Sequence, residues 1–196
     1  MHWKQTMTGE PSIARIPFWY LRHGETDWNR LGLSQGSADI PLNELGLRQA
    51  REAAQRLRGQ GITSIVASPL SRARVTAEIV AETLGLDVVL EPDLREVGWG
   101  VQEGKEMADW FPAWIDGHAT PEGAESFAAL RRRVVGGLNR AIAQPPAVLV
   151  VAHGAVFRAL RAAMNLDMAG RTRNCVPMRC EPLDHPDTPW SLAIHD

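Results

Sequence analysis

The chain has 196 residues, 44% of them hydrophobic and 22% charged, with a formal charge of -2. That size suits one domain with a substantial core, and the composition is ordinary for a soluble globular protein. The near-neutral balance gives no reason to expect nucleic acid or an anionic membrane as a partner, and no apolar run is long enough to span a bilayer.

MHWKQTMTGEPSIAR, at the start, lacks the apolar segment of a secretion signal and reads as a loose tail over residues 1–15, ahead of a single domain over 16–196. Ile16–Leu21 (IPFWYL) is a short apolar run of the buried-strand type. Leu47, Ala50, Ala54 and Leu57 recur at helical spacing within Glu44–Arg58. Gly61–Ala67 (GITSIVA) reads as a second buried strand. Ser68-Pro69 then predicts a helix start, with serine as N-cap and proline in the first helical position, and Gly85 predicts its stop. Asp87–Pro92 (DVVLEP) is a third, shorter strand.

Asp93–Gly123 is irregular and rich in Gly, Trp and acids, with one short helix expected around Glu106–Trp114. Phe127, Leu130, Val134, Leu138, Ala141 and Ile142 share one helix face, and Arg131-Arg132-Arg133 reads as its solvated side. Ala147–Ala152 is a buried strand leading into a helix over Ala155–Met164, and weaker strands follow around Cys175–Pro182 and Trp190–Ile194. Strands alternating with helices predict an α/β fold with a mostly parallel sheet covered on both faces, binding ligands at the carboxyl ends of its strands.

Two cysteines, Cys175 and Cys180, make no disulfide framework, which points to a reducing cytoplasm. Their odd spacing puts the thiols on opposite faces of an extended segment, and beside His185 no fourth ligand is evident, so they read as reduced thiols and not as zinc ligands. The cations are almost all arginine, with Lys4 and Lys105 the only lysines, and arginine's planar fork suits phosphate.

Three strand exits carry polar groups fitted to one anion. Arg22 and His23, followed by Gly24, leave the first strand; Arg72 lies in the first turn of the helix after the second; His153, followed by Gly154, leaves the strand at 147–152. Each alone is weak evidence, but His23 and His153, 130 positions apart (153 − 23), share one strand–His-Gly setting. His2, His118, His185 and His195 lie near the termini or in loops and read as incidental. Two imidazoles and two guanidiniums do not make a zinc site, and serine-hydrolase and nucleotide-loop motifs are absent. They suit phosphoryl transfer, in which one imidazole attacks phosphorus while the other and the arginines hold the oxygens. A leaving alkoxide also needs a proton. Asp93–Gly104 (DLREVGWGVQEG) offers Glu96 and Glu103, between which the residues alone do not choose.

RHGETDWN (Arg22–Asn29), QGSADIPLNELGLRQA (Gln35–Ala50), SPLSRARVTA (Ser68–Ala77), GAESF (Gly123–Phe127) and AHGAVFRAL (Ala152–Leu160) together resemble the histidine phosphatase, or phosphoglycerate mutase-like, superfamily. The resemblance runs from about Phe18 to Leu166 and implies a three-layer α/β/α sandwich that needs no metal or other cofactor. It implies His23 as a nucleophile that becomes a phosphohistidine, and Arg22, Arg72 and His153 as the phosphate pocket. Asn29, Gln35, Gly36 and Gly154 are implied nearby, and Glu96 becomes the expected proton donor. The resemblance also makes residues 93–123 a cap over the site, and between Val97 and Gly123 the only cation is Lys105, set among Glu103, Glu106, Asp109, Asp116 and Glu122. An acidic cap is a poor host for a phosphoglycerate, so hydrolysis of a small phosphate monoester is expected ahead of mutase-type transfer. Trp99, Trp110, Phe111 and Trp114 either pack that cap or line a pocket for a ring-bearing ester. A non-catalytic phosphate-binding protein on the same fold is a third reading, weakened by the presence of all five reacting residues. The substrate and the oligomeric state stay open.

Overall fold

In the computed structural model, which describes residues 12–196, the first strand, β1 (Phe18–Arg22), is buried at every position. Such a run belongs at the centre of a sheet, where both faces are covered. The one-turn helix α1 (Asp27–Arg30) follows, and then α2 (Glu44–Leu57), which Asn43 opens by accepting the Gly46 N–H. The chain continues through β2 (Ser64–Ala67), α3 (Ser71–Leu84), β3 (Val88–Leu90), α4 (Trp110–Ile115) and α5 (Phe127–Ile142). It closes with β4 (Val148–Ala152), α6 (Gly154–Ala163), β5 (Met178–Pro182) and β6 (Trp190–Ile194).

The six strands form one sheet in the order β3-β2-β4-β1-β5-β6. The first four are parallel, and β5 and β6 are added antiparallel, so the sheet is mixed. Side chains alternate across it with the period of a strand. Trp19, Leu21, Ile65, Leu149 and Val151 pack with the buried faces of α2 and α3, whereas Phe18, Tyr20, Val66, Val148 and Val150 pack with those of α5 and α6. This is the expected α/β/α layering. β1 and β4 are neighbours in a register that sets Arg22 against Ala152, and the His23 N–H extends the ladder to the Ala152 carbonyl at 3.0 Å. That register brings the two His-Gly exits side by side.

Four expectations change. The helix after β2 begins at Ser71 with Leu70 at its N-cap and no side-chain cap, because the Ser68 hydroxyl is held by His153. Residues 1–11 of the expected tail lie outside the described residues; Ile13 is buried and the Ala14 N–H donates to Asn139, so the packed part starts before residue 16. The short helix of the cap begins at Trp110, later than expected, after a loop with a 3-10 turn over Gly100–Gln102. Arg133 is not a solvated residue: it forks onto both carboxylate oxygens of Glu125 and donates to the carbonyls of Asp93 and Arg95. Gly85, at φ 69°, ends α3 as expected. Cys175 and Cys180 are free, sit in opposite layers, and are pushed up to about 12 by burial. Among the described residues no helix is long and apolar enough to cross a membrane.

Candidate active site

Arg22, His23, Arg72, Glu96 and His153 are all buried, an unusual state for five ionisable groups unless the fold gives them partners. The partners are specific. The His23 ring lies 5.1 Å from that of His153, centroid to centroid. Its Nδ1 is 2.7 Å from the Gly24 carbonyl, which can only accept, so Nδ1 carries the proton and Nε2 keeps its lone pair. Burial, with Arg22 and Arg72 adding like charge, holds His23 well below the usual histidine range. His153 is lowered likewise by burial, then by Arg72 and His23, and its Nε2 is 2.7 Å from Ser68 Oγ. The Tyr20 hydroxyl donates to the His153 carbonyl at 2.8 Å and pins the exit of β4.

Each arginine is held by backbone. Arg22 donates to the Thr172 carbonyl at 2.7 Å, and Arg72 to those of Gly36 and Ala38 at 2.7 and 2.8 Å. Burial and the nearby Arg171 lower Arg22 to about 10, against the pull of Glu96. Gly36 therefore serves as a strut for Arg72. Its N–H is taken by Glu103, and a Cβ would come within 2.1 Å of the Val97 carbonyl oxygen. Gly24 is also a packing glycine, since a Cβ would lie 2.4 Å from the Gly46 carbonyl oxygen. Gly154 is different. There a Cβ would face Arg22 and Glu96, so its absence leaves room beside them. Asn29 and Gln35 reach the cleft and are tied together, with Gln35 Oε1 accepting from Asn29 and Thr26.

The two candidate acids separate cleanly. Glu96 caps α6, accepting the N–H groups of Ala155 and Val156 at 3.0 and 3.2 Å. Burial raises its pKa, although the Ala155 N–H, Arg72 and Arg22 all favour the anion. Glu103 instead accepts from the backbone of Gly36, Ala38 and Trp99, fastening one loop to another. Arg133, gripping the carbonyls on the N-terminal side of Glu96, fixes that segment.

A cleft of about 290 Å³ opens over these groups, lined by Arg22, His23, Asn29, Gln35, Glu96 and Gly154 at its base. Arg72 and His153 lie fully buried behind it. Of the four cap aromatics, Trp99 and Phe111 line the cleft, whereas Trp114 is core and Trp110 packs on Trp99 at 5.2 Å. The acids of the cap do not line it: Glu106, Asp109, Asp116 and Glu122 are exposed elsewhere. Two cations do, Arg158 from α6 and Arg171 from the loop before β5. Sequence reasoning missed both, because it sought cap charges only between Val97 and Gly123. Arg158, one turn beyond Gly154 on α6, was the findable one.

A sequence model of the histidine phosphatase superfamily, branch 1, matches residues 18–179, most of the chain. The chain belongs to the histidine phosphatase superfamily. Among curated members, it is 36% identical over 193 residues to a Proteus mirabilis protein named "Probable phosphoglycerate mutase GpmB", covering 89% of this chain and 87% of that one. Among solved members, it is similar to the mycobacterial glucosyl-3-phosphoglycerate phosphatase in complex with VO3, at 29% identity and a TM-score of 0.78, covering 92% and 98% of the two chains. It is also similar to the structure of "Mycobacterial hydrolase 1", at 31% identity and a TM-score of 0.77, covering 90% and 96%. The superfamily thus offers hydrolysis and isomerisation on one fold, and the site has to decide between them.

Proposed function

We propose that the protein is a metal-independent phosphatase that hydrolyses a small phosphate monoester through a phosphohistidine on His23. One observation carries the reading. Around an imidazole whose Nε2 is free, three buried N–H donors, Arg22 Nε, Arg72 Nε and His153 Nδ1, have no hydrogen-bond partner among the described residues. Buried donors without acceptors are costly, and a phosphate's oxygens would satisfy all three. A set of N–H donors and guanidiniums suits an oxyanion and repels a metal cation.

The geometry supports a two-step course. His23 Nε2 attacks phosphorus, and Arg22, Arg72 and His153 bind the equatorial oxygens as charge develops on them. The Ser68 hydroxyl, 2.7 Å from His153 Nε2, can donate to it, and that tautomer carries the proton on His153 Nδ1, where a phosphate oxygen would accept it. Glu96, whose pKa burial raises, gives its proton to the leaving oxygen and then takes one from the water that cleaves the N–P bond. The cap is a loop with one short helix over an open cleft, which supports water as the acceptor.

The second reading is mutase-type transfer. It is favoured by the names of the curated relatives and by Arg158 and Arg171, which remove the charge argument against a phosphoglycerate. The test is phosphate release from 4-nitrophenyl phosphate and a metabolite panel, with and without chelator, together with acid-labile phosphate trapped on His23. Turnover that persists in chelator is expected; turnover lost to chelator and restored by zinc contradicts the proposal. Isomerisation of 3-phosphoglycerate without phosphate release, given a trace of the bisphosphorylated form, would install the mutase reading.

A further inference from the structure

Attack on phosphorus uses Arg22 and Arg72, yet the cleft carries more positive charge than that. Arg158 and Arg171 line it farther out, and neither has an acidic partner among the described residues. Arg158 is partly buried and held in place: it donates to the carbonyls of Met168 and Gly170, and its guanidinium lies 5.4 Å from the centroid of the Phe111 ring. Arg171 is exposed, makes no side-chain hydrogen bond among the described residues, and acts electrostatically on both Arg22 and His23. Glu96 is the one acid among the lining residues, against three arginines, Arg22, Arg158 and Arg171. Leu33, Trp99, Met107 and Phe111 complete the wall with apolar and aromatic surface.

Building on the phosphatase reading, we propose that the substrate carries a second anionic group, held by Arg158 and Arg171, on a flat or apolar body that lies along Trp99 and Phe111. A guanidinium fixed on carbonyls still has N–H groups and a full charge to offer, and its planar fork fits a carboxylate or a second phosphate. An ester with a neutral tail would cover the two cations without compensating them, so the same residues select against it. The aromatic wall adds contact area that a ring can use at little entropic cost.

The experiment uses probes matched in shape and different in charge. Turnover of three aryl esters is compared by kcat/KM: the 4-carboxyphenyl phosphate, the 4-carbamoylphenyl phosphate and the 1,4-phenylene bisphosphate. Binding of the corresponding 4-carboxybenzyl and 4-carbamoylbenzyl phosphonates, which cannot turn over, is measured by calorimetry. The expected result is a preference of about tenfold to a hundredfold for the anionic member of each pair, from one or two charge-assisted contacts. Arg158→Gln and Arg171→Gln should each shrink the ratio between members by about tenfold, mostly through KM. The ratio is the readout because Arg171 also acts on His23, which moves every rate together. Relative turnover of the carboxylate and the bisphosphate tells which second anion the site takes. Equal binding of the two phosphonates, or a ratio untouched by both substitutions, overturns the inference and leaves the phosphatase reading standing. Discriminated binding with no turnover of any ester does the reverse.

Discussion

At the base of the cleft and just behind it, Arg22, His23 and His153 leave two strands that share one hydrogen-bond ladder, whereas its rim is gathered from separate stretches: Leu33, Trp99, Phe111, Arg158 and Arg171. The base is held by backbone. Its arginines donate to three carbonyls, its glutamate accepts two helix N–H groups, and its histidine is tied to the next residue's carbonyl. The rim is held mainly by side-chain packing, ring against ring at 4.7–5.9 Å. Backbone ladders fix positions tightly, and side-chain packing tolerates change. The difference fits the proposed division, in which the chemistry lies in the first region and the choice of substrate in the second.

The largest test of that division is His23→Ala, which should lower phosphate release by about 10⁴-fold or more while the fold persists, because among the described residues lining the cleft His23 is the one imidazole and there is no thiol. Near-normal turnover by a folded variant would move the chemistry elsewhere. Next is Glu96→Gln. Loss of a general acid should cost alkyl esters about 10²- to 10⁴-fold, and aryl esters with good leaving groups much less. Equal losses on both would return suspicion to Glu103, whose carboxylate the structure spends on backbone N–H groups.

The pH profile gives a middle-sized effect with a defined sign. His23 is lowered by burial and its arginines, so it stays neutral into acid, and the acid limb should lie below the usual histidine range. Glu96 is raised by burial, so activity on alkyl esters should fall as pH climbs through a value above the usual carboxylate range. That second limb should vanish in Glu96→Gln. The smallest effect concerns the scaffold. Gly24→Ala places a Cβ 2.4 Å from the Gly46 carbonyl oxygen, which should cost about 1–3 kcal/mol in denaturant unfolding. If Gly24→Ala left stability unchanged but raised KM, the glycine would belong to ligand access and not to packing.

Much of the base was legible because its signals are local. An apolar run ending in Arg-His-Gly announces a strand exit, and two such runs announce a shared site once the strands are paired. The periodicity over Phe127–Ile142 and the stop at Gly85 are local too. Ser68 misled, because a serine before proline is a good cap in isolation and here its hydroxyl serves a histidine 85 residues away. Arg133 misled for a related reason: a run of arginines looks solvated until the helix is docked on the segment that carries Glu96.

What the chain determined by itself is most of the strands and longer helices, and the identity of the groups at the strand ends, since propensity, periodicity and glycine placement act between near neighbours. What only the tertiary structure decided is which charges meet. Glu96 at the start of α6, Glu103 on a loop, the cap acids in solvent, and Arg158 with Arg171 over the cleft are long-range outcomes. Electrostatics depends on distance and burial, and neither can be read from spacing along a chain.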